Sequence, residues 1–248
     1  MGNTRDVARI IRENGGVVAF TGAGISVEAG IPAFRGGQGL WEKYDPMEYA
    51  QIDAFHRRPE KVWTMLREMG EVILRADPSP AHWALGALER AGLLSAVITQ
   101  NVDGLHQMAG NTKVIEYHGN HRQLRCTSCS ATSPFTVESM KVFPYPTCEK
   151  CEGPLKPDVV FFGEQIPVGA MVRANQEANS CKVMIIIGTS GVVYPAAEIP
   201  FMAASRGTPI VEINVDPTPF TSSITNHFLE GSSSTIMPAI LEEMGFSL

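Results

Sequence analysis

Val17-Val18-Ala19-Phe20-Thr21-Gly22-Ala23-Gly24-Ile25-Ser26 carries an apolar run straight into a glycine-rich turn. A run this short, with no polar alternation, suits a strand buried on both faces, and the glycines suit a tight turn into a helix. Upstream, Val7, Ile10 and Ile11 share one face of a short helix that Gly15-Gly16 stops. The same grammar recurs downstream. Ser79-Pro80 opens a helix through Leu88, Gly92 closes it, and Ala96-Val97-Ile98-Thr99 reads as a second strand. Further strands are predicted at Val114 to Tyr117, Val183 to Ile187 and Ile210 to Ile213. Short apolar strands alternating with helices predict an α/β fold, a Rossmann-like parallel sheet with helices on both faces.

Two regions interrupt this alternation. Residues 37–77 are rich in aromatic and charged helix-like sequence, and residues 118–156 in Cys, Ser, Thr and Pro. Together they read as a small domain, a helical insertion plus a zinc-ribbon module. That leaves 1–36, 78–117 and 157–248 to the parallel-sheet domain. Cys126-Thr127-Ser128-Cys129 and Cys148-Glu149-Lys150-Cys151 are two C-x-x-C pairs 18 residues apart, the spacing of a tetrahedral four-cysteine zinc site. Two disulfides or four free thiols are the alternatives, disfavoured by a reducing compartment and by the paired spacing respectively. Four thiolates close the coordination shell, so one structural Zn²⁺ per chain is expected, without a catalytic water. Cys181, the fifth cysteine, precedes an apolar strand and reads as packed core.

The 248 residues are 44% hydrophobic and 19% charged, ordinary for a globular protein and enough for a substantial core. A net charge of −6 argues against strong nucleic-acid binding, which needs clustered Lys and Arg, and suits a basic peptide partner better. Met1 to Asp6 lead into an amphipathic segment rather than a signal-type apolar run, and Val183 to Ile187 is too short to span a bilayer. The reading is therefore a cytoplasmic protein with no membrane association.

In open parallel sheets, ligands bind beyond the carboxyl ends of the strands. Those positions here are Thr21-Gly22-Ala23-Gly24-Ile25-Ser26, Gln100-Asn101-Val102-Asp103, His118-Gly119, Gly188-Thr189-Ser190 and Asn214-Val215-Asp216, all polar or glycine-rich. Gly22 and Gly24 suit a turn whose free N–H groups and helix dipole hold a pyrophosphate. The next glycine is Gly30, so the spacing departs from the usual dinucleotide fingerprint, and a plain structural turn is an equal alternative. Asn214 suits a ribose hydroxyl or, equally, a turn ahead of Pro217. Of the six histidines, only His118 stands at a strand end beside a glycine. It is the candidate general base.

These blocks together resemble the sirtuin family. Gly22-Ala23-Gly24-Ile25-Ser26 and Gly30-Ile31-Pro32-Ala33-Phe34-Arg35-Gly36 match its GAG, IS, GIP and FR elements, and Thr99 to His106 its TQN-x-D-x-LH block. His118-Gly119, the two cysteine pairs, Lys156 to Glu164, Gly188-Thr189-Ser190, Val193 to Ala197 and Ile213-Asn214 follow in family order. The resemblance implies an NAD-dependent protein lysine deacetylase of the prokaryotic core type. NAD would be held by Gly22, Ala23, Gly24, Phe34, Arg35, Gln100, Asn101, Val102, Asp103, Gly188, Thr189, Ser190, Asn214 and the Gly231-Ser232-Ser233 turn. Nicotinamide recognition would fall chiefly to Val102 and Asp103, although Asp103 also suits a helix N-cap.

The resemblance further implies that an acetylated lysine peptide adds a strand between Val160-Phe161-Phe162-Gly163-Glu164 and Val192-Val193-Tyr194, threading its acyl-lysine into an apolar tunnel. The acetyl oxygen would displace nicotinamide from the ribose C1′, giving an alkylimidate. His118 would be the base toward the ribose hydroxyls, Asn101 would orient the reacting groups, and the products would be lysine and O-acetyl-ADP-ribose. NAD would thus be a cosubstrate.

Two positions depart from the family pattern: Ala33, where an acidic or hydroxyl residue is frequent, and Gly191, which replaces a larger apolar residue. Family members that remove succinyl groups carry a Tyr-x-x-Arg pair, and Val62 to Met69 contains no tyrosine and sets Glu68 beside Arg67. Acetyl is therefore the expected preference over succinyl. The rivals are a mono-ADP-ribosyltransferase using the same pocket and a non-catalytic NAD-sensing or zinc-scaffold module. A dehydrogenase is the weakest of them.

Overall fold

The computed structural model describes residues 3–34 and 39–247. Six strands form one parallel sheet: β1 (Val17–Thr21), β2 (Leu94–Thr99), β3 (Val114–Glu116), β7 (Val183–Ile187), β8 (Ile210–Asn214) and β9 (His227–Glu230). Their order is β3-β2-β1-β7-β8-β9, with every pairing parallel. Because successive side chains point to opposite faces, β1 feeds two cores. Val17 and Ala19 pack under the helices Thr4–Asn14, Pro80–Arg90 and Ser233–Glu243, whereas Val18 and Phe20 meet Val168–Ser180 and Glu198–Ser205 on the other face. Ala170, Ala174 and Ala178 at four-residue spacing let the Val168–Ser180 helix lie close to the sheet. This is the double-wound architecture that the strand and helix alternation predicts.

Between β3 and β7 the chain builds a second, antiparallel sheet in the order β5-β4-β6: β4 (Gly119–Cys126), β5 (Thr132–Pro134) and β6 (Leu155–Val159). The helix Pro59–Arg75 packs Val62, Trp63 and Leu66 onto Leu124, Leu155 and Phe161, and the Trp63 indole N–H donates to Leu155 O at 2.9 Å. The predicted limit at 156/157 falls inside β6, and the one at 36/37 lies outside the described residues.

Two local features differ from the sequence reading. β9 was not anticipated, because this edge strand has a single buried residue, Leu229, and no apolar run. The turn after β1 continues as a seven-residue 3₁₀ helix, Ala23–Ala29, rather than an α-helix. No helix among the described residues is long and apolar enough to cross a membrane.

Candidate active site

From β1 and β7, neighbours in the sheet, the chain winds in opposite directions: β2 and β3 extend to one side, β8 and β9 to the other. The turns leaving this switch point diverge and open a crevice, as doubly wound sheets require. A cavity of about 670 Å³ lies there, bordered by Gly22, Ala23, Gly24, Phe34, Gln100, Asn101, Val102, His118, Gly188, Thr189, Ser190, Asn214 and Gly231 to Ser233. The ends of all six strands of the parallel sheet thus meet around one space. Among the predicted cofactor residues, Asp103 does not border the cavity and Arg35 lies outside the described residues.

The glycine turn works differently from the expected cradle of free N–H groups. Gly22 N–H donates to Ile187 O at 3.0 Å and Gly24 N–H to Gly188 O at 2.8 Å, so both are taken. What glycine provides is proximity. A Cβ on Gly22 would lie 2.8 Å from Gly188 O, and one on Gly24 2.6 Å from Gly188 Cα. Only without side chains can the β1 and β7 turns touch backbone to backbone.

The β2 end is tied into the same place. Gln100 Nε2 donates to Thr189 Oγ1 at 2.8 Å, and Asn101 Nδ2 donates to Gly22 O and to Ser26 Oγ, both at 3.1 Å. The Ser26 hydroxyl donates to Asp103 Oδ2 at 2.8 Å, while Asp103 Oδ1 accepts Leu105 N–H at 2.9 Å, a turn just ahead of the Leu105–Met108 helix, whose N-cap is Gly104 rather than the expected Asp103. Burial raises the Asp103 pKa above its ordinary 3.8, with the Leu105 and Ser26 bonds working against it. Asn214 Nδ2 donates to Thr189 O at 2.9 Å and its Oδ1 accepts Val215 N–H at 3.0 Å, so it serves at least the turn role.

His118 follows β3 and borders the cavity. Its Nδ1 lies 3.2 Å from Gln100 O. A carbonyl can only accept, so Nδ1 carries the hydrogen and Nε2 keeps its lone pair. Burial lowers the His118 pKa below its ordinary 6.5, with the Gln100 carbonyl opposing. At neutral pH the imidazole is an uncharged base with an open Nε2.

The predicted peptide loops meet at the cavity's mouth. Val160 to Glu164, Val193 and Tyr194 border it; Val192 does not and is exposed. Phe162 N–H donates to Ala50 O at 2.9 Å and Phe162 O accepts Ile52 N–H at 3.0 Å, so this residue is spent on residues 50–52. Gly163 makes no hydrogen bond among the described residues, which leaves its N–H and C=O for an added strand. Gly191 stands at φ +67°, and a Cβ there would lie 2.8 Å from the Phe220 ring, which accounts for the missing side chain.

One wall carries no residue assigned from the sequence, although the resemblance pointed to the Val62 to Met69 stretch for the choice of acyl group. Met65, Leu66, Met69 and Ile73 of the Pro59–Arg75 helix border the cavity with His121 of β4. An apolar stripe at helical spacing reads as core, and nothing in the pattern marks it as a cavity wall. Arg67 of the same helix faces away. Its guanidinium donates to Met140 O, Val142 O and Pro144 O at 2.6–2.8 Å and lies over Phe143, 4.2 Å from the ring centroid. Glu68 is likewise occupied, by Lys43 and Tyr44.

Cys126 closes β4, Cys129 follows in the next turn, and Cys148 and Cys151 occupy the facing turn before β6. The four sulfurs lie within 4.8 Å of one another, with Cys126–Cys151 at 3.5 Å and Cys129–Cys148 at 3.6 Å. A tetrahedron with metal–sulfur bonds of about 2.3 Å has edges near 3.8 Å, so the four thiolates fit Zn²⁺ and leave no open position.

The Sir2 family model matches residues 22–195. An NAD-dependent protein deacylase of Pyrococcus furiosus is 45% identical over 244 residues, covering 96% of this chain and 97% of that one. A solved Sir2 homolog–NAD complex superimposes with a TM-score of 0.90 at 44% identity, covering 97% of this chain and 93% of that one. A Sir2 mutant solved with a deacetylated p53 peptide and 3′-O-acetyl-ADP-ribose gives 0.93 at 36% identity, covering 99% and 100% respectively.

Proposed function

The chain belongs to the Sir2 family, and from that premise we propose that it is an NAD-dependent protein deacylase that removes acetyl groups from lysine side chains, converting NAD to nicotinamide and O-acetyl-ADP-ribose. The observation that carries the chemistry is the fixed tautomer of His118, whose unprotonated Nε2 is left open in the switch-point cavity. NAD lies across the β1 and β7 turns as a cosubstrate, and the acyl-lysine enters from the Gly163 and Val193 loops. The acetyl oxygen attacks C1′ of the ribose and the C1′–nicotinamide bond breaks. His118 Nε2 then takes a ribose hydroxyl proton, and the 2′-oxygen adds to the imidate carbon. Water completes the release of free lysine and the acetylated sugar.

Asn101 holds the cavity floor through Gly22 O and Ser26, and it orients the groups around C1′. Asp103 acts from behind through Ser26, and recognises the nicotinamide carboxamide if its side chain turns toward the cavity when the dinucleotide binds. Zn²⁺ on the four cysteines supplies folding energy alone.

Acetyl is the favoured acyl group. The cavity wall from the Pro59–Arg75 helix is Met65, Leu66, Met69 and Ile73, and its arginine is bound to three carbonyls elsewhere. A succinyl carboxylate would meet apolar surface with no cation to pair. The test is mass spectrometry of the purified chain with NAD and an acetyl-lysine peptide. Deacetylated peptide and O-acetyl-ADP-ribose in equal amounts are the expected products; NAD consumption with ADP-ribose attached to protein instead would overturn the proposal.

A further inference from the structure

Lys156 is the one lysine among the described residues with less than a tenth of its surface exposed. Its ammonium has three hydrogens and three acceptors: Val159 O at 2.6 Å, Glu164 Oε2 at 3.0 Å and Pro157 O at 3.4 Å. It also lies 4.8 Å from the centroid of the Phe161 ring. The same Glu164 oxygen accepts Phe161 N–H at 2.8 Å. Every partner of this charge belongs to residues 157–164, the segment that carries the Gly163 edge.

The loop's first half is held from elsewhere, since Val160 N–H donates to His118 O at 2.8 Å. The second half turns back through Phe161 and Glu164, and one carboxylate oxygen fastens both to Lys156. Lys156 does not border the main cavity. It borders a second cavity of about 500 Å³, with which the main cavity shares Val159, Val160 and Glu164 as lining. The dinucleotide turns at Gly22 to Gly24, Gly188 to Ser190 and Gly231 to Ser233 make no hydrogen bond with the pair among the described residues.

Resting on the reading of Gly163 as a peptide edge, we propose that Lys156 is a positioning residue for substrate: its pair with the half-buried Glu164 sets the peptide-docking loop in its binding geometry, while Lys156 itself lies outside the main cavity and the reaction. Removing one member of a buried pair strands the other charge and releases what the pair held. Misplacement of a docking edge by about 1 Å is worth up to roughly 10² in rate.

Lys156→Met keeps length and burial but removes the charge. The expected result is a rise of about 10- to 100-fold in KM for an acetyl-lysine peptide, with kcat changed less than about threefold and the calorimetric Kd for NAD less than about twofold. Glu164→Gln retains an acceptor for Phe161 N–H and is expected to shift the peptide KM less. Because both act through one pin, the double variant should be no worse than Lys156→Met alone. Hydrogen exchange at the Phe161 and Glu164 amides, which needs no substrate, should quicken in Lys156→Met.

An unchanged peptide KM with unchanged exchange overturns the proposal, as do a parallel loss of NAD affinity or additive effects of the two substitutions. If Lys156→Met fails to fold, Glu164→Gln, on a side chain 27% exposed, carries the same KM and exchange measurements alone. A wild-type protein that turns over no acetyl peptide refutes the function proposed above, while the exchange experiment still decides the role of Lys156.

Discussion

Lowering the pH from about 7.5 to about 5 should cost this protein much of its stability, through histidines buried in neutral form. His82 and His121 are each pushed down from 6.5 to about 4 by burial, and His106, packed 4.7 Å from the His82 ring, is held well below its ordinary value. In this window the unfolded chain takes up protons that the folded chain refuses, so stability rises with pH between about 4 and 6.5 and is lost as pH falls through that range. A shift from 6.5 to about 4 costs about 2 kcal/mol by pH 5, so His82 and His121 together give about 4 kcal/mol, before any share from His106. Total stabilities are about 5–15 kcal/mol, so the loss is large.

His121→Leu isolates one contribution. His121 Nε2 is buried without a hydrogen-bond partner, and the ring stacks edge-on against Phe135 at 4.3 Å, so leucine removes a polar cost while keeping apolar contact. Urea unfolding of both proteins at the two pH values gives the difference. The carboxylates with lowered pKa, Glu68, Glu89 and Glu138, act mainly below 4.5, the raised pKa of Asp103 works in the opposite sense, and the cysteine cluster sheds metal in acid. All three cancel when wild type and variant are compared. The variant should lose about 2 kcal/mol less than wild type between the two pH values. Equal losses would refute the reasoning for His121.

His118→Ala should lower net deacetylation by about 10² to 10⁴ while exchange of labelled nicotinamide into NAD survives better, because the base acts only after nicotinamide has left; equal loss of both activities would move the histidine to binding or to the first step. In the wild type, the acid limb of kcat/KM should fall below pH 6.5, since burial lowers the His118 pKa and the base is lost only as pH drops through that lowered value. Acetyl and succinyl forms of one peptide should differ in kcat/KM by about tenfold or more in favour of acetyl, given no cation on the Met65 to Ile73 wall; comparable values would count against that wall as the acyl site. Cys126→Ala should abolish stoichiometric zinc, measured by elemental analysis, and lower the yield of folded protein rather than selectively slowing turnover.

The strands with apolar runs were legible because burial on both faces imposes a run that nothing else in the chain mimics; β7, Val183–Ile187, was read to the residue. β9 was invisible for the converse reason, since an edge strand needs only one inward residue. The chemistry-bearing strand ends were legible once the sheet was taken as parallel, because topology gathers carboxyl ends whatever the intervening sequence. What the pattern could not convey is where polar groups spend their bonds. Gly22 and Gly24 look like anion-binding amides until Ile187 O and Gly188 O are found on them, and Asp103 looks like a ligand until Ser26 is found in front of it. Residues 37–77 were legible only as helix-like, and whether the apolar stripe from Met65 to Ile73 faces side chains or space depends on the fold around it.

The contact of Gly22 and Gly24 with Gly188 also divides the labour of evolutionary change. Where two turns meet through bare backbone, a side chain at Gly22, Gly24 or Gly188 meets the facing turn at under 3 Å, so these three positions have little room to change. The Pro59–Arg75 wall is under no such restraint: methionine is unbranched and adaptable, and exchanging Met65 or Met69 for another residue disturbs neither the β1–β7 junction nor His118. If that wall is the acyl site, as proposed above, a lineage built on this frame can alter the acyl group it accepts through a few wall substitutions while the glycine junction stays unaltered.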